Sequence, residues 1–169
     1  MKDPGFNITE ITEADRQEVG RFVARSWGSS LSVSRGRVYD TKGLPGFICR
    51  QGQTIAGLVT YHIENNECEI ITLDSLVKNK GFGTALLYKV IEKAKNQKCN
   101  RVWLITTNDN TNAIGFYQKR GFEWAGFYRD AMEESRKLKP QIPEYGHGNI
   151  PIKHELEFEY RFEAKLIKH

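Results

Sequence analysis

Alternation of apolar and polar residues is the clearest pattern near the end of the chain. In residues 152–162, apolar or ring-bearing side chains occupy every second position, and charged side chains fill the positions between them. A period of two over this length predicts a β-strand with one buried face. Short apolar runs bounded by turn residues predict further strands at 6–10, 47–50, 54–63, 67–76, 101–107 and 122–128.

Apolar residues spaced by three and four positions predict helices. The first helix has Thr12 as its N-cap and ends near Gly28, the second spans 81–97, and the third spans 110–120. The strands between 47 and 76 are separated by hairpin-length turns and predict an antiparallel meander. The strand at 101–107 follows the second helix and is expected to run parallel to the strand at 67–76.

Two stretches show no regular pattern. Residues 29–42 are polar and irregular, with a second short helix as the alternative, and residues 130–151 contain three prolines. A segment as long as the latter is typical of a functional loop rather than a plain connector. We therefore expect it to flank a binding site.

The turn between the strand at 67–76 and the following helix has the features of an anion site. Lys78, Asn79 and Lys80 precede Gly81, Phe82, Gly83 and Thr84 at the start of that helix. The first N–H groups of a helix have no intrahelical partner, and glycine lets a phosphate approach the backbone. The alternative is a tight connection that merely requires glycine. The P-loop pattern and the third glycine of the dinucleotide fingerprint are both missing.

Composition limits the class of protein. The chain has 169 residues, 39% of them hydrophobic and 27% charged, as expected for one globular domain spanning residues 1–169. A net charge of +4 suits an anionic small ligand but not a nucleic-acid surface. Three widely spaced cysteines predict free thiols in a reducing compartment, so a cytoplasmic location is expected. No apolar segment predicts a signal peptide or a membrane span.

Two motifs resemble those of the GNAT superfamily of acetyl-CoA-dependent N-acetyltransferases. The first is the superfamily's Q/R-x-x-G-x-G/A, with Lys78 in place of the usual Gln or Arg. The second is N-x-x-A-x-x-F-Y followed by G-F, present as Asn110, Ala113, Phe116, Tyr117, Gly121 and Phe122. The resemblance covers about residues 6 to 128. It implies a mixed, largely antiparallel central sheet of six to seven strands, with flanking helices and a splayed acetyl-CoA cleft.

The resemblance also implies roles for individual residues. The backbone of Ile71, Thr72 and Leu73 would pair with the pantetheine arm, and the amides of residues 79–84 would hold the pyrophosphate. Asn110 would hydrogen-bond the pantetheine, with a plain helix N-cap as the alternative. Tyr117 would protonate the departing thiolate, with a core position as the alternative. Such transfer is direct and needs neither a metal nor an enzyme nucleophile.

The base that neutralises the acceptor amine is open at this stage. Some peptide-directed relatives carry a glutamate in the strand at 101–107, but the matching residue here is Ile105. Glu69 and Asp74 are the candidate bases, and a water-relayed proton without a single base is an alternative. His147 could face the acceptor, whereas His62 and His154 are expected to be structural or surface groups.

The acceptor is expected to be a small-molecule or peptide amine, and no nucleic-acid or membrane partner is expected. Glu155, Glu157 and Glu159 form an acidic row that could attract a cationic amine, although a solvated sheet face is the preferred interpretation. An exposed final strand would allow a homodimer. A non-catalytic acyl-CoA-binding sensor or interaction module is the alternative function.

Overall fold

The computed structural model describes residues 5–163, which form a seven-stranded sheet, a separate two-stranded hairpin and four α-helices. In chain order the elements are β1 (Asn7–Glu10), α1 (Arg16–Trp27), β2 (Leu31–Ser34), β3 (Arg37–Asp40), β4 (Gly46–Gln51), β5 (Thr54–Glu64), β6 (Glu67–Ser75), α2 (Phe82–Asn96), β7 (Arg101–Thr107), α3 (Thr111–Gln118), β8 (Glu123–Tyr128), α4 (Met132–Leu138) and β9 (Glu155–Arg161). No helix within residues 5–163 is long and apolar enough to cross a membrane.

The large sheet has the order β1-β4-β5-β6-β7-β9-β8. All neighbours are antiparallel except β6 and β7, which run parallel and are joined through α2. The predicted meander, crossover helix and parallel pair are therefore confirmed. The mixed and largely antiparallel fold class is also confirmed.

The parallel pair is short, and it determines where a ligand can enter. Pairing begins at Glu67 with Arg101 and stops at Ile70 with Leu104, although both strands continue for several residues. Beyond that point the strands diverge, and the backbone edge of β6 that faces β7 has no strand partner. A β-bulge on β6 accompanies the divergence, because Thr60 pairs with Thr72 whereas the next residue of β5, Tyr61, pairs with Ile70.

The two faces of the sheet are covered differently. Helix α2 packs on one face and encloses the main core through Leu86, Leu87 and Val90. Helix α1 covers part of the other face by packing Val19 and Val23 against strands β4 and β5. The β2–β3 hairpin covers a further part of that second face, which we call the hairpin face. Three free cysteines are buried.

Three expectations from the sequence are wrong. Residues 29–42 are not irregular but contain the whole β2–β3 hairpin and the start of a short 3-10 turn at Thr41–Gly43, and the hairpin turn lies at Arg35 and Gly36, both with positive φ. The 130–151 segment, expected to be a loop, instead contains α4 and a short 3-10 turn at His147–Asn149. The final strand is not an exposed edge, because β9 lies between β7 and β8. The argument for a homodimer through an exposed last strand therefore fails.

Candidate active site

A cavity of about 440 Å³ lies where β6 and β7 diverge. Its floor consists of Ile70, Ile71 and Thr72 from β6 and of Ile105, Thr106 and Thr107 from β7. The β2 strand, the end of α1, helix α4 and the segment at 141–146 complete the wall. The wall is mainly apolar, with a few polar and charged groups, as is usual for a small-molecule site.

The start of α2 has the geometry of an anion site. Gly81 is the N-cap residue with φ of 80°, and Asn79 also has a positive φ. The first intrahelical bond runs from the Ala85 N–H to the Gly81 carbonyl, so the N–H groups of Phe82, Gly83 and Thr84 have no helical acceptor. A Cβ on Gly83 would be 3.6 Å from the Phe116 ring, and a Cβ on Gly81 would meet nothing within 4 Å. The lysines at 78 and 80 are exposed.

Arg120 adds a cation beside this turn that the sequence reasoning missed. Its Nε and Nη2 donate to the Thr84 hydroxyl at 2.9 and 2.7 Å, and its guanidinium stacks on the Phe116 ring. Arg120 lies within the basic stretch that follows Tyr117 in the second motif. That stretch was the available signal, but only the fold shows that it reaches the first turn of α2.

Tyr117 lies on α3 among the rings of Phe116, Phe122 and Phe158 and is 7% exposed. Burial raises the pKa of Tyr117, and the charge of Asp74 raises it further, so the hydroxyl keeps its proton at neutral pH. Within residues 5–163, no hydrogen bond to that hydroxyl is found. Tyr117 therefore packs its ring in the core, and it is not among the residues that line the cavity.

The other residues expected to bind the cofactor lie at the divergence. Ile71 is the bulged residue and lines the cavity together with Thr72, whose hydroxyl is 2.7 Å from that of Thr60. Leu73 instead packs against the main core. Asn110 also lines the cavity, and its side-chain oxygen accepts from the Ala113 N–H as a helix N-cap. Its amide nitrogen is not used by this cap.

The two candidate bases, Asp74 and Glu69, do not line the cavity themselves but accept hydrogen bonds from residues that do. Trp27 donates from Nε1 to Asp74 Oδ2 at 2.8 Å, and Ser34 donates to Glu69. Both donors, Trp27 and Ser34, line the cavity. Burial raises the pKa of Asp74 against the opposing effect of the Trp27 hydrogen bond. Burial likewise raises the pKa of Glu69, although Ser34 and Tyr39 donate to it.

The acidic row on β9 is not a solvated face, so the preferred interpretation from the sequence is wrong. Glu155 and Glu157 are buried, and all three glutamates face the same side of the sheet as Glu69. Arg101 pairs with Glu157 and Glu159. Glu155 lines the cavity, where Arg35 Nη1 lies 3.2 Å from its Oε2 and Ser135 donates to its Oε1. The sequence carried no signal for this burial, because it depends on the unexpected hairpin.

The histidines have separate roles. His154 accepts from the Asp130 N–H and contacts the Phe127 ring. His147 is exposed, and its backbone N–H donates to Asp109 beside the cavity. His62 lies against the Tyr39 ring, and its Nε2 atom has no hydrogen-bond partner among the described residues.

Comparison with known proteins identifies the family. The model of the acetyltransferase (GNAT) family matches residues 15–122, which is more than half of the chain. This chain therefore belongs to the GNAT family of acetyltransferases, as the two sequence motifs predicted. The Bacillus subtilis (strain 168) protein YdhI is 48% identical over 139 residues, which are 81% of this chain and 86% of YdhI.

Solved structures share the fold. The IAA acetyltransferase from Bacillus cereus ATCC 14579 superposes with a TM-score of 0.69 at 17% identity, covering 93% of this chain and 99% of that one. A GNAT family acetyltransferase from Elizabethkingia anophelis with acetyl-CoA bound gives a TM-score of 0.67 at 18% identity, covering 95% and 100% of the two chains. At this level of identity the likeness concerns the fold.

Proposed function

We propose that this protein transfers an acetyl group from acetyl-CoA to an amine by direct attack. The observation that carries the proposal is the divergence of β6 and β7 after Ile70 and Leu104, which opens a cavity beside an unpaired strand edge. The partly extended pantetheine arm fits such an edge, and the free amides before Ala85 fit its pyrophosphate. Three buried free thiols suit a reducing compartment, so we also propose a cytoplasmic location.

The chain supplies the groups that this chemistry needs. Acetyl-CoA supplies an activated acyl carbon as a thioester. The amine nitrogen bonds to that carbon and the carbon–sulfur bond breaks. N–H groups on the unpaired edge of β6 stabilise the negative charge that develops on the acyl oxygen. Tyr117 donates its proton to the departing sulfur, because its raised pKa keeps the hydroxyl protonated.

Polar groups on the hairpin face accept the proton of the attacking amine. Ser34 lines the cavity and donates to Glu69, so a hydroxyl relay connects the acceptor to a buried carboxylate. Asp74 is the second candidate, because its carboxyl accepts from Trp27, which lines the cavity. Ile105, which also lines the cavity, cannot take this role.

Isothermal titration with acetyl-CoA, using ATP and NAD as controls, tests the cofactor. Saturable binding of acetyl-CoA alone is expected. Turnover with a panel of primary amines then separates an enzyme from the alternative, a non-catalytic acyl-CoA sensor. Binding without turnover of any amine would favour the sensor, and absence of binding would remove both functions.

A further inference from the structure

A lysine lies at one end of the cavity. Lys139, the C-cap residue that follows α4, lines the cavity and is half-buried. Its Nζ donates to the Leu31 carbonyl at 2.9 Å, and no carboxylate within residues 5–163 lies within ion-pair distance of it. By contrast, Lys137 on the same helix is exposed and pairs with Glu134 at 2.6 Å.

A carboxylate of β9 contacts α4 one helical turn before Lys139. Ser135, four residues before Lys139, donates to Glu155, and both of these residues line the cavity. Residues four apart in a helix lie on one face and are separated by about 6 Å along its axis. The Lys139 ammonium group after α4 and the Glu155 carboxylate of β9, to which Ser135 of that helix donates, therefore line the same cavity.

The β2 strand, which Lys139 contacts, shows a similar arrangement. Leu31, which accepts from Lys139, begins the strand, and Ser34, which donates to Glu69, ends it. Three residues of strand span roughly 10 Å. Arg35, which follows Ser34, donates a hydrogen bond to Glu155. Glu69 and Glu155 are thus contacted from the end of β2, and Lys139 is contacted from its start.

From this arrangement we propose that the acceptor is a small zwitterion that carries an amine, an anionic group and an apolar side chain, with Lys139 as the residue that binds the anionic group. This inference rests on the proposed acetyl transfer. The amine then lies at the Glu155 and Ser34 end, and the apolar wall formed by Val33, Met132 and Ile142 contacts the apolar side chain.

The hairpin favours a small acceptor over a peptide. Arg35 connects the hairpin to β9, and the bond from Lys139 connects it to the end of α4. The hairpin is therefore held over the cavity at both ends of β2. A peptide would need an open channel through that cover. An α-amino acid with an aliphatic or aromatic side chain matches the charges, the apolar wall and the volume.

The test compares amines that differ only in the anionic group. Acetyl transfer is measured with L-leucine and isoamylamine, with L-phenylalanine and phenethylamine, with O-phosphoethanolamine, and with a hexapeptide that has a free N-terminus. The wild-type protein is expected to have the higher kcat/KM for each amino acid than for its decarboxylated partner. Preference for O-phosphoethanolamine over both amino acids would identify the anionic group as a phosphate and would equally support the zwitterion.

Substitution of the lysine gives the decisive readout. In Lys139→Gln, the ratio of kcat/KM for amino acid over matched amine is expected to fall about tenfold or more, mainly through KM, because a charge-assisted hydrogen bond is lost. Lys139→Arg should retain most of the preference, and Lys137→Gln, the matched control, should retain all of it. An unchanged ratio in Lys139→Gln, or preference for the hexapeptide, would overturn the inference while leaving acetyl transfer intact. Failure to acetylate any amine would overturn the proposed function, and the inference with it.

Discussion

Arg35 reaches Glu155 across 120 residues of sequence and closes the hairpin over the cavity. Its guanidinium carbon also lies 3.3 Å from the centre of the Tyr128 ring. Glu155 has a side chain that is only 3% exposed, and its two oxygens contact this cation and the Ser135 hydroxyl. The contact therefore joins the turn of the hairpin to β9 beside the cavity.

Arg35→Met should destabilise the protein by about 1–2 kcal/mol, because a buried carboxylate loses its cation while Arg35 itself is partly exposed. Urea unfolding measures this loss. In a Glu155→Gln background the same substitution should cost much less, since no buried charge is left unpaired. Equal costs in the two backgrounds would show that the ion pair does not hold the hairpin.

Tyr117→Phe should lower kcat by about 100-fold or more while the affinity for acetyl-CoA changes little, because only a proton donor is removed. The ring contacts are kept and the hydroxyl has no partner within residues 5–163, so stability should change little. Tyr61→Phe, another buried tyrosine, is the matched control and should retain turnover. Wild-type turnover in Tyr117→Phe would remove this residue from the mechanism.

Gly83→Val should abolish acetyl-CoA binding without unfolding the protein. A Cβ fits at ordinary contact distance from Phe116, but the branched methyls would occupy the space above the free amides of the first α2 turn. Titration calorimetry and thermal unfolding check the two halves of this expectation. Gly43→Val, at a position where a Cβ meets nothing within 4 Å, is the control. Retained micromolar affinity in Gly83→Val would refute the location of the pyrophosphate.

Glu69→Gln should alter how stability depends on pH. Because burial raises the pKa of Glu69, the folded state binds more protons than the unfolded state above the unfolded pKa of about 4.3. As pH rises through the folded pKa of Glu69, the wild-type protein loses the stabilisation that comes from keeping this carboxyl protonated. The free energy of unfolding of Glu69→Gln should therefore increase relative to that of wild type as pH rises. Urea unfolding between pH 4 and pH 8 measures the difference.

Glu64→Gln is the control of opposite sign. A hydrogen bond from Arg37 lowers the pKa of Glu64, so its contribution is present above the unfolded pKa and is lost as pH falls. This variant should lose stability relative to wild type as pH rises from acid. Parallel pH profiles for wild type and Glu69→Gln would exclude a buried, raised-pKa carboxyl at residue 69.

Local patterns in the sequence predicted most of the large sheet and the helix at the anion turn. The apolar run predicts the Arg101–Thr107 strand, and the glycines predict the start of α2. Both signals are local properties of the sequence. The β2–β3 hairpin did not follow, because its stability comes from distant partners such as Glu69 and Glu155 rather than from its own polar sequence. The site could be predicted where it depends on motifs near Gly81 and Tyr117, and could not where it depends on that hairpin.

The bulge at Ile71 divides β6 into two halves. Even-numbered residues face the core before the bulge, and odd-numbered residues face it afterwards. Cys68 and Ile70 face the core before it, and Leu73 does so after it, so Glu69, Thr72 and Asp74 share the hairpin face. If Ile71 were paired in register instead of bulged, strict alternation would turn the Asp74 carboxyl toward α2. Loss or insertion of one residue between the bulge and Asp74 would reverse the faces in the same way, so variation in strand length there is far less tolerable than variation in side chains.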